Sequence, residues 1–147
     1  MTTPSQDPLQ VCTTGFDHHL GLELTQATPQ RVVARLKVTD HVRQPYGLVH
    51  GGVYASMAET VASVGAVLAI RELTGSPDSG SVGQSNHTDF LKAVRQGTLT
   101  ATATPVHTGR SVQLWQVDIT DDEGAMAAQA KVRMFNVGVT RMEQSQD

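Results

Sequence analysis

Cysteine, aromatic side chains and charge are all scarce in this chain. Cys12 is the only cysteine among 147 residues, which excludes an intrachain disulfide and a cysteine-rich zinc site and favours a reducing, cytoplasmic setting. Charged residues make up 17%, the formal net charge is −3 and no basic run occurs, so nucleic acid is not an expected partner. Aromatic residues make up only 4%, and abundant Ala, Val, Gly and Thr suit a sheet packed closely on a helix of small residues.

The sequence also lacks the pattern of a secretion signal and of a convincing membrane span. Residues 1–10 are polar and hold two prolines, without the basic-then-apolar order of a signal peptide. Residues 53–70 approach the length that crosses a bilayer. Glu59 and several hydroxyl side chains interrupt this stretch, however, so we expect the buried helix of a soluble protein and no membrane partner.

The remaining pattern predicts one domain built from a helix and several strands. Residues 1–14 predict a flexible leader, 15–138 one folded domain and 139–147 a polar tail. Residues 51–73 predict a helix that is apolar on nearly every face and stops at Gly75. Alternating side chains predict strands over 31–38, 81–90, 97–106, 111–120 and 125–135. This order predicts an α+β fold with one long central helix wrapped by a curved antiparallel sheet.

A glycine-rich turn leads into the predicted helix. Residues 44–52 read Gln-Pro-Tyr-Gly-Leu-Val-His-Gly-Gly. A helix that begins in such a turn has unpaired N–H groups at the positive end of its dipole, where they bind an anion or a polarised carbonyl oxygen. Glu59 follows inside the apolar helix, where a lone acid is costly unless it has a partner or a task. Gly51 and Glu59 together indicate chemistry on an acyl group.

The spacing of these two residues predicts a site shared between subunits. Eight residues of helix separate Gly51 from Glu59 by about 12 Å along the axis. One carbonyl group cannot lie roughly 3 Å from both. We therefore expect Gly51 of one subunit to face Glu59 of another, which makes a homodimer the minimum assembly.

The same residues carry a resemblance to a known family. Gln44, Gly47, the His50-Gly51-Gly52 run, Glu59 and Ser63 resemble the active-site segment of hotdog-fold acyl-CoA thioesterases, in particular the PaaI-like group. That group includes 4-hydroxybenzoyl-CoA and 1,4-dihydroxy-2-naphthoyl-CoA thioesterases. The resemblance continues downstream and covers about residues 15–137, through segments 86–87, 107–111, 115–117 and 121–124.

The resemblance implies hydrolysis of an acyl-CoA, either aryl or medium-chain, by an assembly that is a homodimer at minimum and is expected to be a homotetramer of paired dimers. It implies no metal and no cofactor, because CoA belongs to the substrate. Gly51 would polarise the thioester carbonyl, Glu59 would act as nucleophile or general base, and Gln44, His50 and Ser63 would hold the carbonyl, the water or the acid. The implied substrate and CoA contacts are Gly52, Asn86, His87, Thr88, Asp89, His107, Gly109, Arg110 and Ser111.

Purely structural roles remain possible for three of these residues. His50 could be a capping residue, Ser63 a packing residue and Gln44 a loop residue. The six histidines have no His-x-x-x-His spacing and no acidic cluster beside them, so a metal site is not expected. Two other functions remain possible on the same fold, a hydratase or dehydratase and a non-catalytic acyl-CoA binding protein.

Overall fold

A long helix lies against a six-stranded antiparallel sheet in the computed structural model, which describes residues 7–139. The helices are α1 Gly15–Leu20 and α2 Gly51–Thr74, with short 3₁₀-helices at Pro8–Thr13 and Asp40–Val42. The strands are β1 Leu22–Thr28, β2 Arg31–Lys37, β3 Gly80–Phe90, β4 Thr98–Thr108, β5 Val112–Thr120 and β6 Met126–Val137. They are ordered β1-β2-β4-β5-β6-β3 across the sheet, which confirms the predicted α+β architecture.

The central helix α2 begins and ends at the residues that its sequence indicates. The Nδ1 atom of His50 caps it by accepting from the Gly52 N–H at 2.8 Å. Gly75 ends it in the left-handed conformation, with φ +68°, and donates to the Arg71 carbonyl at 2.9 Å. The helix has the length and composition of a membrane span. Here it contacts all six strands, and eleven of its residues are buried.

Small residues let the helix and sheet approach closely. The strand positions that face α2 are buried, including Leu99, Ala101 and Ala103 on β4 and Val117 and Ile119 on β5. Full burial contributes roughly 1.5–3 kcal/mol for each of the larger side chains, Leu99, Val117 and Ile119, and less for each alanine. The alternation predicted for these strands is therefore confirmed, and the core lies between the sheet and α2.

The structure adds a strand and short helical segments to the predicted elements. In β1, Leu22 and Leu24 are buried, but an irregularity between Leu24 and Gln26 ends the alternation, so the sequence signal is too short. Pro8–Thr13 forms a 3₁₀-helix on β1 and buries Cys12, so this part of the predicted leader is folded. Burial, aided by Asp17, raises the pKa of the Cys12 thiol to about 12. Residues 1–6 of the leader and 140–147 of the tail lie outside the described residues.

Strand β3 lies at the edge of the sheet and beside α2, and it carries part of the predicted site. It pairs with β6 along one edge only, and no described strand lies along the other. Most of its eleven residues are exposed. The unpaired N–H and C=O groups along such an edge can pair with another chain.

Candidate active site

The N–H group of Gly51 is free at the start of α2. Val53 donates to the His50 carbonyl at 2.9 Å, and Gly52 donates to the His50 ring. Gly51 has no hydrogen-bond acceptor within residues 7–139. Since the helix dipole places partial positive charge here, this N–H can receive an oxygen that gains negative charge. The Gly52 N–H, predicted to contact substrate, is already used in the cap.

A tight loop fixes the chain before this helix. Gln44 donates from its backbone to the Leu48 carbonyl at 2.7 Å, and Gly47, with φ +84°, donates to the Gln44 carbonyl at 2.9 Å. The Gln44 side-chain carbonyl also accepts from the Tyr46 N–H. The His50 ring likewise binds the nearby backbone, since its Nδ1 atom accepts from the Gly52 N–H. In the neutral ring this leaves the proton on Nε2. Both side chains support the helix start in this way.

Phe90 forms a wall of the cavity at this helix end. The cavity measures about 330 Å³, and its lining includes Gln44, Gly51, Tyr54 and Phe90. A Cβ atom on Gly51 would lie 2.8 Å from the Phe90 ring, so only glycine fits without displacing that ring. Tyr54 packs against Phe90 with ring centroids 6.0 Å apart. Burial raises the pKa of the Tyr54 phenol, and its hydroxyl has no hydrogen-bond partner among the described residues.

Glu59 lies in a second cavity, on the side of α2 that faces β3. It is half-buried in an opening of about 260 Å³ that Phe16 and Asn86 also line. The Asn86 side chain donates to the Glu59 carboxylate at 3.1 Å and to the Ala55 carbonyl at 3.0 Å. Thr88 donates to the Asn86 side-chain oxygen at 2.7 Å and so fixes the orientation of the amide. Asn86 was predicted to contact CoA, but in this structure it holds the acid.

Gly83 makes room for this acid, and sequence reasoning did not identify it. A Cβ atom at Gly83 would lie 2.0 Å from a Glu59 carboxylate oxygen. The residue sits where the pairing of β3 with β6 shifts register, between Gly83 and Ser85. A glycine inside a strand pattern often marks a bulge or a close approach, so the sequence held a usable signal.

Ser63 lies one turn beyond Glu59 on the same face of α2. Four residues correspond to about 6 Å along the helix axis, so the two side chains are neighbours. Ser63 is half-buried and has no hydrogen-bond partner within the described part of the chain. Its predicted role toward the water or the acid stays a prediction.

The alternation of β3 divides the predicted 86–89 segment between two faces. Asn86 pairs with buried Val132, and Thr88 pairs with buried Ala130, so both lie on the face toward α2. His87 and Asp89 project to the opposite face, where they approach each other at 3.2 Å. The segment therefore presents Asn86 and Thr88 toward α2 and His87 and Asp89 to the outer face, because successive strand residues point in opposite directions. Its predicted contacts with CoA stay a prediction.

The 107–111 segment forms a third group at the other end of α2. Gly109 lines a groove of about 420 Å³ with Leu73 near the helix end, and Arg110 and Ser111 line another of about 510 Å³ beside Phe135. Fourteen residues separate Glu59 from Leu73, which is about 20 Å of helix. His107 is exposed and pairs with Leu114 on the outer side of the sheet. One chain therefore does not bring this group to Glu59 or Gly51.

Charged side chains elsewhere do not assemble a metal centre. Across residues 7–139, no three His, Cys, Asp or Glu side chains are grouped so that they could hold an ion. Lys92, close to the Gly51 cavity, pairs with Asp121. This hydrogen bond raises the pKa of Lys92 and lowers that of Asp121. The reactive groups that remain at the helix are the Gly51 amide and the Glu59 carboxylate.

Similarity to known proteins identifies the family. The thioesterase superfamily matches residues 46–128, which run from the loop before α2 into β6. A 1,4-dihydroxy-2-naphthoyl-CoA hydrolase of Listeria monocytogenes is 36% identical over 108 residues, which is 74% of this chain and 84% of that protein. A Mycobacterium tuberculosis protein provisionally named an esterase is 42% identical over 138 residues, 91% of this chain and 96% of that protein.

A solved structure confirms the fold as well. A Haemophilus influenzae thioesterase superposes with a TM-score of 0.83 at 28% sequence identity, covering 99% of this chain and 96% of that one. The predicted hotdog fold and the predicted enzyme class are therefore both confirmed. The chain belongs to the thioesterase superfamily, and it is a thioester hydrolase.

Proposed function

We propose that this enzyme hydrolyses an acyl-CoA at a site formed by the Gly51 amide of one subunit and the Glu59 carboxylate of its partner. The observation that carries this proposal is the free Gly51 N–H at the start of a long helix that also presents a half-buried carboxylate. The Listeria relative is named for hydrolysis of a CoA thioester, which supports the same substrate class here.

The Gly51 amide would stabilise the oxygen of the thioester as the carbonyl is attacked. Negative charge develops on that oxygen, and one preorganised donor of this kind typically contributes about 3 kcal/mol to the transition state. The helix dipole adds to the effect. Phe90 and Tyr54 line the adjacent cavity and would contact the acyl group, which suits either an aryl or a medium-chain substrate.

Glu59 would activate the attack on the opposite side of the carbonyl. As a general base toward water it would contribute roughly 10²–10⁴-fold, and as a nucleophile it would form a mixed anhydride that water then opens. The thiolate of CoA is a good leaving group, so the reaction calls for no metal or other cofactor. Asn86 orients the carboxylate in either route.

Three observations support a shared site in a homodimer. Gly51 and Glu59 line separate cavities of one chain, they are about 12 Å apart on one helix, and β3 beside Glu59 has a bare edge. A two-fold pairing would supply each site with one residue of each kind. We expect the dimers to pair further into a homotetramer, because Val82, Phe135 and Val137 form an exposed apolar patch on the sheet.

The CoA moiety would extend along the 107–111 turn. Gly109, Arg110 and Ser111 border the two grooves there, and a guanidinium group suits a phosphate. His107 lies beside Gly109. His87 and Asp89 would contribute only from the outer face of the sheet.

A panel of aryl-CoA and alkyl-CoA substrates tests the proposal through thiol release. We expect Glu59→Gln to lower turnover at least 10²-fold, as for loss of a base or nucleophile. Glu23→Gln, which makes the same change at an exposed acid of β1, is the control and should keep the wild-type rate. No thiol release by the wild type, or a near-normal rate for Glu59→Gln, would contradict the proposal.

A further inference from the structure

We propose that Asn136 and Gln113 are positioning residues, which set the conformation of the β4–β5 turn at residues 108–111 for binding of the CoA moiety. This inference rests on the proposed function, since it assigns that turn to CoA. Neither residue touches the candidate catalytic groups.

The Asn136 side chain, on β6, binds the turn through its NH₂ group and other side chains through its oxygen. It is 5% exposed, and its side-chain NH₂ donates to the carbonyls of Gly109 and Arg110 at 2.9 and 3.0 Å. Its side-chain oxygen accepts from Ser81 at 3.0 Å and from Gln113 at 2.8 Å. Its backbone N–H donates to the Ser111 carbonyl at 2.9 Å. Three successive carbonyls of the turn therefore bind this one residue.

Gln113 continues the network to the central helix. It is 1% exposed, and its side-chain NH₂ donates to the Ala66 carbonyl of α2 at 2.9 Å as well as to Asn136. Its side-chain oxygen accepts from the Trp115 indole N–H at 2.9 Å. All four amide hydrogens and both amide oxygens of Asn136 and Gln113 are thus paired.

The Trp115 indole at one end of this network and the turn carbonyls at the other fix which group donates in each hydrogen bond. The indole N–H can only donate and the turn carbonyls can only accept, so neither amide can rotate by 180° without losing its partners. A buried network that is fully paired rigidifies the segment it binds, whereas a partly paired one is costly. Within the turn, the Gly109 N–H also donates to the Val112 carbonyl at 3.0 Å.

This rigid turn lies between the two grooves assigned to CoA. Gly109 borders one groove, and Arg110 and Ser111 border the other. Because Asn136 binds the carbonyls of residues 109–111, it fixes the positions of their backbone and side chains along the grooves. Because Ala66 is fifteen residues beyond Gly51, roughly 22 Å along α2, the network can affect CoA affinity without moving the free amide at the helix start.

Asn136→Asp is the sharpest test, because it keeps the shape of the side chain but replaces the donating NH₂ with an acceptor. We expect CoA, measured by titration calorimetry, to bind at least tenfold more weakly. We expect the KM for benzoyl-CoA to rise by a similar factor, while kcat and the hydrolysis of S-benzoyl-N-acetylcysteamine stay within twofold. Gln26→Glu, which makes the same chemical change at an exposed position of β1, should leave all of these values unchanged.

Ser81→Ala provides a second test if Asn136→Asp does not fold, since it removes only one donor to the Asn136 oxygen. We expect it to weaken CoA binding two- to fivefold and to spare the short thioester. Unchanged CoA affinity in a folded variant, or equal losses on both thioesters, would overturn the inference alone. A wild-type protein that neither binds CoA nor releases thiol would overturn the proposed function and this inference with it.

Discussion

The Glu59 carboxylate depends on a single side-chain donor within the described residues. Asn86 reaches it from the strand opposite the helix, and Thr88 keeps the Asn86 amide in the required orientation. Gly83 leaves the space in which the carboxylate lies. A half-buried acid that is held in this way has one preferred position, which is what a group that activates water or attacks a carbonyl requires.

We expect Asn86→Ala to lower kcat by about 10-fold, because hydrogen bonds to a charged group are worth roughly 1.5–3 kcal/mol. The KM for the acyl-CoA should change little, since the amide orients the acid and does not bind CoA. Steady-state thiol release measures both constants. Ser85→Ala, one position away on the other face of β3, is the control and should behave as wild type. A large rise in KM at constant kcat would instead support the original assignment of Asn86 to CoA.

At the scale of elements, the contact between α2 and β5 is unusually close. A Cβ atom on Gly65 would lie 2.6 Å from the Trp115 ring, which is completely buried. The Trp115 indole N–H is bound to Gln113, so the ring cannot move away without breaking that hydrogen bond. The close packing of Trp115, and not helix propensity, therefore explains why glycine occupies position 65.

Gly65→Ala separates these two effects by the sign of the change in stability. Helix propensity alone predicts stabilisation by about 1 kcal/mol, whereas overpacking against a fixed ring costs about 1–3 kcal/mol. We expect the packing term to dominate, so the free energy of unfolding in urea should fall. A variant more stable than wild type would mean that the ring adjusts freely.

At the scale of the whole molecule, the proposed catalytic groups lie far apart within one chain. Gly51 and Glu59 face different cavities, and the 107–111 turn lies near the far end of the same helix. Because Gly51 and Glu59 are eight residues apart on one helix, about 12 Å along its axis, we do not expect both to contact one carbonyl of the same chain. A partner subunit would supply the missing group to each cavity.

Mixing two inactive variants tests this directly. Gly51→Pro removes the free N–H; the backbone accepts proline, since His50 already has the extended conformation that precedes it, and the added Cβ atom displaces the Phe90 ring of the same site. Glu59→Gln removes the acid. After subunit exchange, half of the dimers would hold one intact site, so about a quarter of wild-type thiol release should return.

The mixture would remain as inactive as its separate components if each chain built its own site. Size-exclusion chromatography of the mixture, with one variant tagged, should show that mixed dimers have formed. Recovered activity without mixed dimers would also contradict the shared site.

The sequence by itself determined the central helix and most of the sheet, and it placed Gly51 and Glu59 eight residues apart on that helix. Capping at His50, the stop at Gly75 and the two-residue alternation of β4, β5 and β6 are local properties, readable without a partner element. The first strand escaped prediction because its alternation ends after Leu24.

Only the tertiary structure decided which side chains meet. The approach of Asn86 to Glu59, of Phe90 to Gly51 and of Asn136 to the turn each joins residues distant along the chain. It also separated Asn86 and Thr88 from His87 and Asp89, because pairing with β6 determines which residues of β3 face the helix. Spacing along a helix or strand follows from backbone geometry alone, whereas contacts between elements depend on how the whole chain packs.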